Sequence, residues 1–159
     1  MRLFHGTNVD FDRIDLRKCR PSKDFGRGFY LTDIKRQAEE MAVRRCEIEK
    51  KGTPVVQEYE FDPKWLDSTD LKCKDFPVVS EEWARFIMMN RRSRGQKVHD
   101  FDIVSGPVAD DNIVMQFNLF AQKIIDMPTL IRELTYRKWN HQYYFGTELA
   151  IGKLQRIWP

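Results

Sequence analysis

Two short stretches hold the side chains best suited to chemistry. FGRGFYLTD, residues 25–33, sets two glycines around Arg27 and follows them with Phe29 and Tyr30, while FHGT, residues 4–7, offers His5. Glycine lets a backbone approach a ligand closely. Phe29 and Tyr30 fall on opposite faces of an extended segment, so one of them presents a flat wall to an aromatic ring. An imidazole at a strand end can bond hydroxyl groups through either nitrogen. A third stretch, NRRSRGQK at 90–97, clusters Arg91, Arg92, Arg94 and Lys97, suited to phosphates of a nucleic acid or a pyrophosphate, or to plain solvation of a loop. The adjacent acids Asp110 and Asp111 resemble a catalytic pair, but a helix N-terminus accounts for them.

The elements that must position these groups follow from pattern. MRLFH starts apolar and reads as a first strand ending in the turn-prone GTN. TDIKRQAEEMAVRRCEIEKKG reads as a helix capped by Thr32 or Asp33, with Ile34, Ala38, Met41, Ala42 and Ile48 near one stripe and Lys50, Lys51 and Gly52 closing it. TPVVQEYEFD alternates, placing Val55, Gln57, Tyr59 and Phe61 on one face of a half-buried strand. SEEWARFIMMN is a short helix capped by Ser80, and FDIVSGPV is a strand interrupted at Gly106 and Pro107. Helices follow over ADDNIVMQFNLFAQKII and MPTLIRELTYR, the second with Pro128 in its first turn. NHQYYFGTELAIGKLQRIW reads as a strand, a Gly-Thr break and a terminal helix. Strands and helices mix without regular βαβ spacing, which predicts an α+β fold, and no linker or low-complexity segment divides residues 1–159 into more than one domain.

Composition narrows the classes. A 159-residue chain with 42% apolar and 32% charged residues is of ordinary globular type, and no apolar run approaches the ~20 residues that cross a bilayer. MRLFHGTN lacks a signal-peptide pattern, so a cytoplasmic location without membrane attachment is expected. Three cysteines, Cys19, Cys46 and Cys73, form no closed disulfide framework, and with three histidines at no ligand spacing from them a metal site is not expected. The net charge of +3 permits a nucleic-acid partner without requiring one.

Taken together, the first two stretches resemble the ADP-ribosyltransferase superfamily, in the branch of diphtheria toxin and the poly-ADP-ribose polymerases. Its His-Gly-Ser/Thr motif matches His5, Gly6 and Thr7; its Gly-x-Gly-aromatic-Tyr segment matches Gly26, Gly28, Phe29 and Tyr30; its glutamate-bearing strand is matched by HQYYF, with Gln142 at the glutamate position. More narrowly, FGRGFYLTD, FDIVSGPVADD and HQYYFGTELAI look like a group of short bacterial ADP-ribosyltransferase-like proteins, some with toxin or host-defence relatives.

The resemblance implies two small sheets with flanking helices around a cleft for NAD, and not a Rossmann fold. It implies mono-ADP-ribosyl transfer from NAD to a macromolecular acceptor, protein or nucleic acid, by a toxin or host-defence effector accompanied by an inhibitor or antitoxin protein. NAD glycohydrolysis and non-catalytic binding of NAD or ADP-ribose are the alternatives. His5 would bond the adenosine ribose, Gly6 the nicotinamide carboxamide, and Tyr30 would stack on the nicotinamide ring. Gly28, Phe29 and Thr7 complete the wall. Gln142 keeps the hydrogen-bond acceptor of the family's glutamate but neither its charge nor its proton chemistry, leaving His5, Tyr30 and Gln142 as the catalytic set. Met41 stands where some members place a second stacking aromatic, Ala38 where some place a serine, and Glu148 is a secondary candidate for the base.

Overall fold

A computed structural model describes residues 1–109, 111–135 and 140–158 of the chain. Among the described residues, seven strands form two sheets. The first strand, β1 (Arg2–Thr7), pairs antiparallel with β3 (Val55–Phe61), which pairs antiparallel with β7 (Leu154–Ile157). The second sheet runs in the order β2 (Phe29–Leu31), β6 (His141–Phe145), β5 (Ile103–Pro107), β4 (Cys73–Asp75), antiparallel except for the β5–β4 pair. The sheets meet at one bridge, where the amides and carbonyls of Phe4 and Thr32 exchange hydrogen bonds of 2.7 and 3.0 Å. This is the coarse α+β, two-sheet architecture the sequence suggests.

Period-2 alternation divides the side chains between two cores. Phe29, Leu31, Tyr59, Phe61, Ile103 and Phe145 join Leu3 in one cluster, to which both sheets contribute. Their strand neighbours Val104 and Tyr144 face the other way, into a cluster with Phe25, Trp83, Ile87, Ile113, Leu130 and Leu134. The latter covers one face of the four-stranded sheet with α2 (Glu81–Arg91), α3 (Asp111–Ala121) and α4 (Met127–Thr135). Ser80 caps α2 by accepting from the Trp83 amide, as its sequence implies, and Trp83 donates its indole N–H to Pro107 O at 3.1 Å.

The helix α1 (Lys35–Glu49) lies against β1 and β3, and it departs from expectation in two ways. Its N-cap is Ile34, without a side-chain cap bond, because Thr32 is drawn into the bridge with Phe4; the Thr32 hydroxyl accepts from the Ile34 amide instead. Of the expected stripe only Ala38 and Ala42 are buried, whereas Ile34, Met41 and Ile48 are exposed. A Cβ on Gly6 would lie 2.0 Å from Ala38 O, so the helix backbone sits directly on β1 and only alanines fit between. Lys50, left-handed at φ 46°, ends it.

Three further expectations are corrected. Gly106 and Pro107 do not interrupt β5: they pair with Gln142 and His141, Gly106 because a side chain would press on Phe76 and Phe25, and Pro107 because it ends the strand. The terminal helix is a single turn, α5 (Glu148–Ile151), capped by Thr147, after which the chain enters β7. Tertiary pairing beside β3, with Tyr59 opposite Arg156, overrides the local pattern. Arg91 belongs to α2 and not to the basic loop. Asp110 lies outside the described residues, and α3 begins at Asp111.

Candidate functional site

Where the sheets meet, a cleft of about 770 Å³ opens between β1, β2, α1 and the loop 8–23, with Gln142 of β6 on its wall. His5, Gly6, Thr7, Gly28, Phe29, Tyr30, Met41 and Gln142, the eight residues singled out from sequence, all line it, as does Ala38. Glu148 does not; it sits exposed in the first turn of α5, where its charge complements the helix dipole.

His5 stands on β1 opposite Gln57 and next to the bridge between the sheets. Its Nδ1 lies 2.8 Å from Tyr30 O. A carbonyl can only accept, so Nδ1 carries the proton and Nε2 is left as an acceptor. The ring lies 4.4 Å from that of Phe29, and burial pushes its pKa from 6.5 down to about 4. The imidazole is therefore neutral at pH 7, a fixed acceptor with no acid role there.

Tyr30 is anchored at its far end. Its hydroxyl accepts from the Phe25 amide at 3.0 Å and donates to Gly26 O at 2.8 Å, closing the loop 25–30 onto its own ring. Tyr144 meets the ring edge-on at 5.4 Å, and Lys23 Nζ lies 4.5 Å from its centroid. Burial raises the phenol pKa well above its usual range, so the hydroxyl stays protonated and the ring presents a neutral face. Phe29, on the opposite side of β2, is buried against His5 and Tyr59 and supports the imidazole.

The glycines have structural causes beside any ligand contact. Gly26 adopts φ +93°, a Cβ on Gly28 would enter the Tyr144 ring at 2.2 Å, and Gly6 is required by the approach of α1. Thr7 spends its hydroxyl on Val9, accepting from its amide at 3.4 Å and donating to its carbonyl at 3.2 Å. Met41 is about half exposed on the cleft rim.

Gln142 is fixed by a residue the sequence reading passed over. Its Nε2 donates to Asp24 Oδ2 at 2.8 Å, with Pro107 O at 3.4 Å. Asp24, only 6% exposed, also accepts from the Ala109 amide at 3.0 Å and from Arg91 Nε and Nη2 at 2.9 and 2.6 Å. Arg91, one of the cluster suited to phosphates or to plain solvation of a loop, is committed to this pair and to Ala109 O. Only Arg92, Arg94 and Lys97 of that cluster remain exposed; none of them lines the cleft, and their loop is tied to the 8–23 loop through the Gly95 amide, which bonds Ser22 Oγ. Asp24 adjoins the FGRGFY stretch, but its partners stand 67, 85 and 118 positions away, beyond any local pattern.

The cleft wall is basic. Arg13, Lys18, Arg20, Lys23, Arg44 and Arg45 line it against two carboxylates, Asp15 and Glu49. Asp15 is held by Arg17, which keeps its carboxyl at about 2, and Glu49 takes ion pairs from Arg20 and Arg45. Among the described residues no group of three metal-ligating side chains gathers, the three cysteines are free, and no helix is long and apolar enough to cross a membrane.

No curated protein matches the chain significantly. A family model described as "Protein of unknown function (DUF3990)" matches residues 1–156, nearly the whole chain, and the protein belongs to that family.

Proposed function

We propose that this protein is an NAD-dependent mono-ADP-ribosyltransferase acting on a macromolecular acceptor. The observation that carries the reading is the gathering of His5, Gly6, Tyr30 and Gln142, from three strands far apart in sequence, around one cleft. Its volume of about 770 Å³ is of the size that holds a cofactor-sized molecule. Three chemical features support NAD in particular. Tyr30 offers a neutral aromatic ring on the cleft wall, which suits stacking of the nicotinamide ring. His5 Nε2 is an acceptor for a ribose hydroxyl. The basic wall suits a pyrophosphate.

In this reading the chain's residues work by position and electrostatics. Tyr30 orients the nicotinamide, and Gln142 Oε1 accepts from the 2′-hydroxyl of the adjoining ribose, fixing it while the glycosidic bond lengthens and positive charge develops at C1′. Gln142 cannot take a proton, so the acceptor must be nucleophilic as it arrives: a carboxylate, a thiolate or a nucleobase nitrogen. With no base at residue 142 to activate a ribose hydroxyl, one ADP-ribose is transferred and no polymer grows. The same want of a base disfavours water, the acceptor in glycohydrolysis.

Incubation with NAD radiolabelled in the adenylate half and cell extract tests this. Label in macromolecules, lost in Tyr30→Ala, is the expected result. Free ADP-ribose alone would turn the reading to a glycohydrolase, and binding heat with no nicotinamide released at any enzyme concentration would turn it to a non-catalytic NAD module.

A further inference from the structure

Gln142 stands on the cleft wall through its side-chain amide, and an unrestrained amide has two nearly equivalent orientations. One presents oxygen to the cleft, the other two N–H donors. Two observations choose between them. Both inner partners of the Gln142 amide nitrogen, Asp24 Oδ2 and Pro107 O, are oxygen acceptors, so the NH2 end points inward. Among the described residues no donor reaches Oε1, and Oε1 is not a buried orphan. Asp24 is itself fixed from three directions, by the Arg91 fork, the Ala109 amide and the Gln142 amide, so its own orientation is not adjustable.

We propose that Asp24, braced by Arg91, is a positioning residue that locks Gln142 with its amide oxygen facing the cleft and polarises that oxygen through the amide. A carboxylate accepting from an amide N–H draws the amide toward its charge-separated form, which adds electron density to the carbonyl oxygen. The negative charge absent from residue 142 thus sits one hydrogen bond behind it, where it strengthens the acceptor without competing for the ligand. The pair also explains why residue 142 is an amide. A glutamate there would set two carboxylates at 2.8 Å, an arrangement in which both cannot be ionised together.

The catalytic part of this proposal rests on NAD being the substrate; the geometric part does not, and the experiment separates them. Four proteins are compared: wild type, Asp24→Asn, Gln142→Glu and the double variant Asp24→Asn with Gln142→Glu, which reverses donor and acceptor within the same hydrogen bond. Thermal unfolding is followed from pH 5 to pH 8 and nicotinamide release is measured with NAD. In Gln142→Glu the two acids share a proton, so its folded state binds more protons than its unfolded state. Its melting temperature should approach that of wild type at pH 5 and fall away as pH rises, and the double variant should remove that slope.

In the activity arm, Asp24→Asn should lower kcat about 10- to 100-fold while the NAD dissociation constant moves less than about threefold, the signature of misplacement and not of lost binding. The double variant should exceed Gln142→Glu at pH 8. A Gln142→Glu protein whose melting profile parallels wild type would overturn the contact. Unchanged kcat in a folded Asp24→Asn protein would overturn the positioning role. If Asp24→Asn does not fold, the melting profile of Gln142→Glu against wild type decides whether Asp24 holds Gln142. If wild type neither binds nor cleaves NAD, the function proposed above fails, and the melting profiles still decide whether Asp24 locks Gln142.

Discussion

His5 links the chemistry of a single residue to the stability of the whole chain. Its folded pKa of about 4 lies below the 6.5 it has when unfolded, so between those values the unfolded state binds the extra proton. Stability is therefore fully present above pH 6.5 and declines as pH falls toward 4, by on the order of 2–3 kcal/mol over the window. His99, whose ring donates to Phe25 O and accepts from the Phe101 amide, is lowered by burial as well and adds in the same direction. Chemical denaturation between pH 5 and 7 should show a shallower slope in His5→Asn than in wild type. Tyr30 separates into two ends in the same way. Tyr30→Phe keeps the ring face but strands the Phe25 amide, and should cost about 1–3 kcal/mol of stability with NAD affinity nearly kept. Tyr30→Ala should lose NAD affinity at least about tenfold in calorimetry.

At the scale of elements, the contact between α1 and β1 is a tight constraint on the cleft. Gly6→Ala would drive a methyl group into the Ala38 carbonyl at 2.0 Å, a backbone atom that cannot swing aside. The helix would have to lift from the sheet, at about 3 kcal/mol or more, and thermal unfolding should show a loss several times that of Gly152→Ala, whose nearest neighbour would be at 3.4 Å. This same contact shows where sequence pattern misleads. Ile34, Met41 and Ile48 look like core residues because their spacing is helical, but a helix seated this closely accepts only Ala38 and Ala42 beneath it. Similarly, KLQRIW carries too few residues to declare itself, and β7 forms because β3 offers an open edge.

At the scale of the molecule, the charge distribution is uneven although the net charge is only +3. Six cations, of which Arg20 and Arg45 pair with Glu49, line the cleft with two carboxylates, and Arg92, Arg94 and Lys97 are exposed outside it. Affinity for NAD should therefore fall with ionic strength, roughly tenfold between 0.05 and 0.5 M salt, whereas a cleft bound mainly by ring stacking would show almost no change. Isothermal titration at the two salt concentrations distinguishes these outcomes.

Local signals were enough for what local physics controls. The strand pattern of Val55–Phe61, the Ser80 cap and Pro128 in the first turn of its helix are legible in the sequence because alternation and capping act over a few residues, whereas the wall residues His5, Gly6, Tyr30 and Gln142 were singled out by the resemblance of their motifs to a known family. The tertiary structure alone decided that these residues share one cleft, that Gly6 serves helix packing, and that Arg91 is the ion-pair partner of the buried Asp24. Each of those outcomes depends on contacts between segments tens of residues apart, where burial and hydrogen-bond satisfaction, which no local pattern encodes, choose the partner.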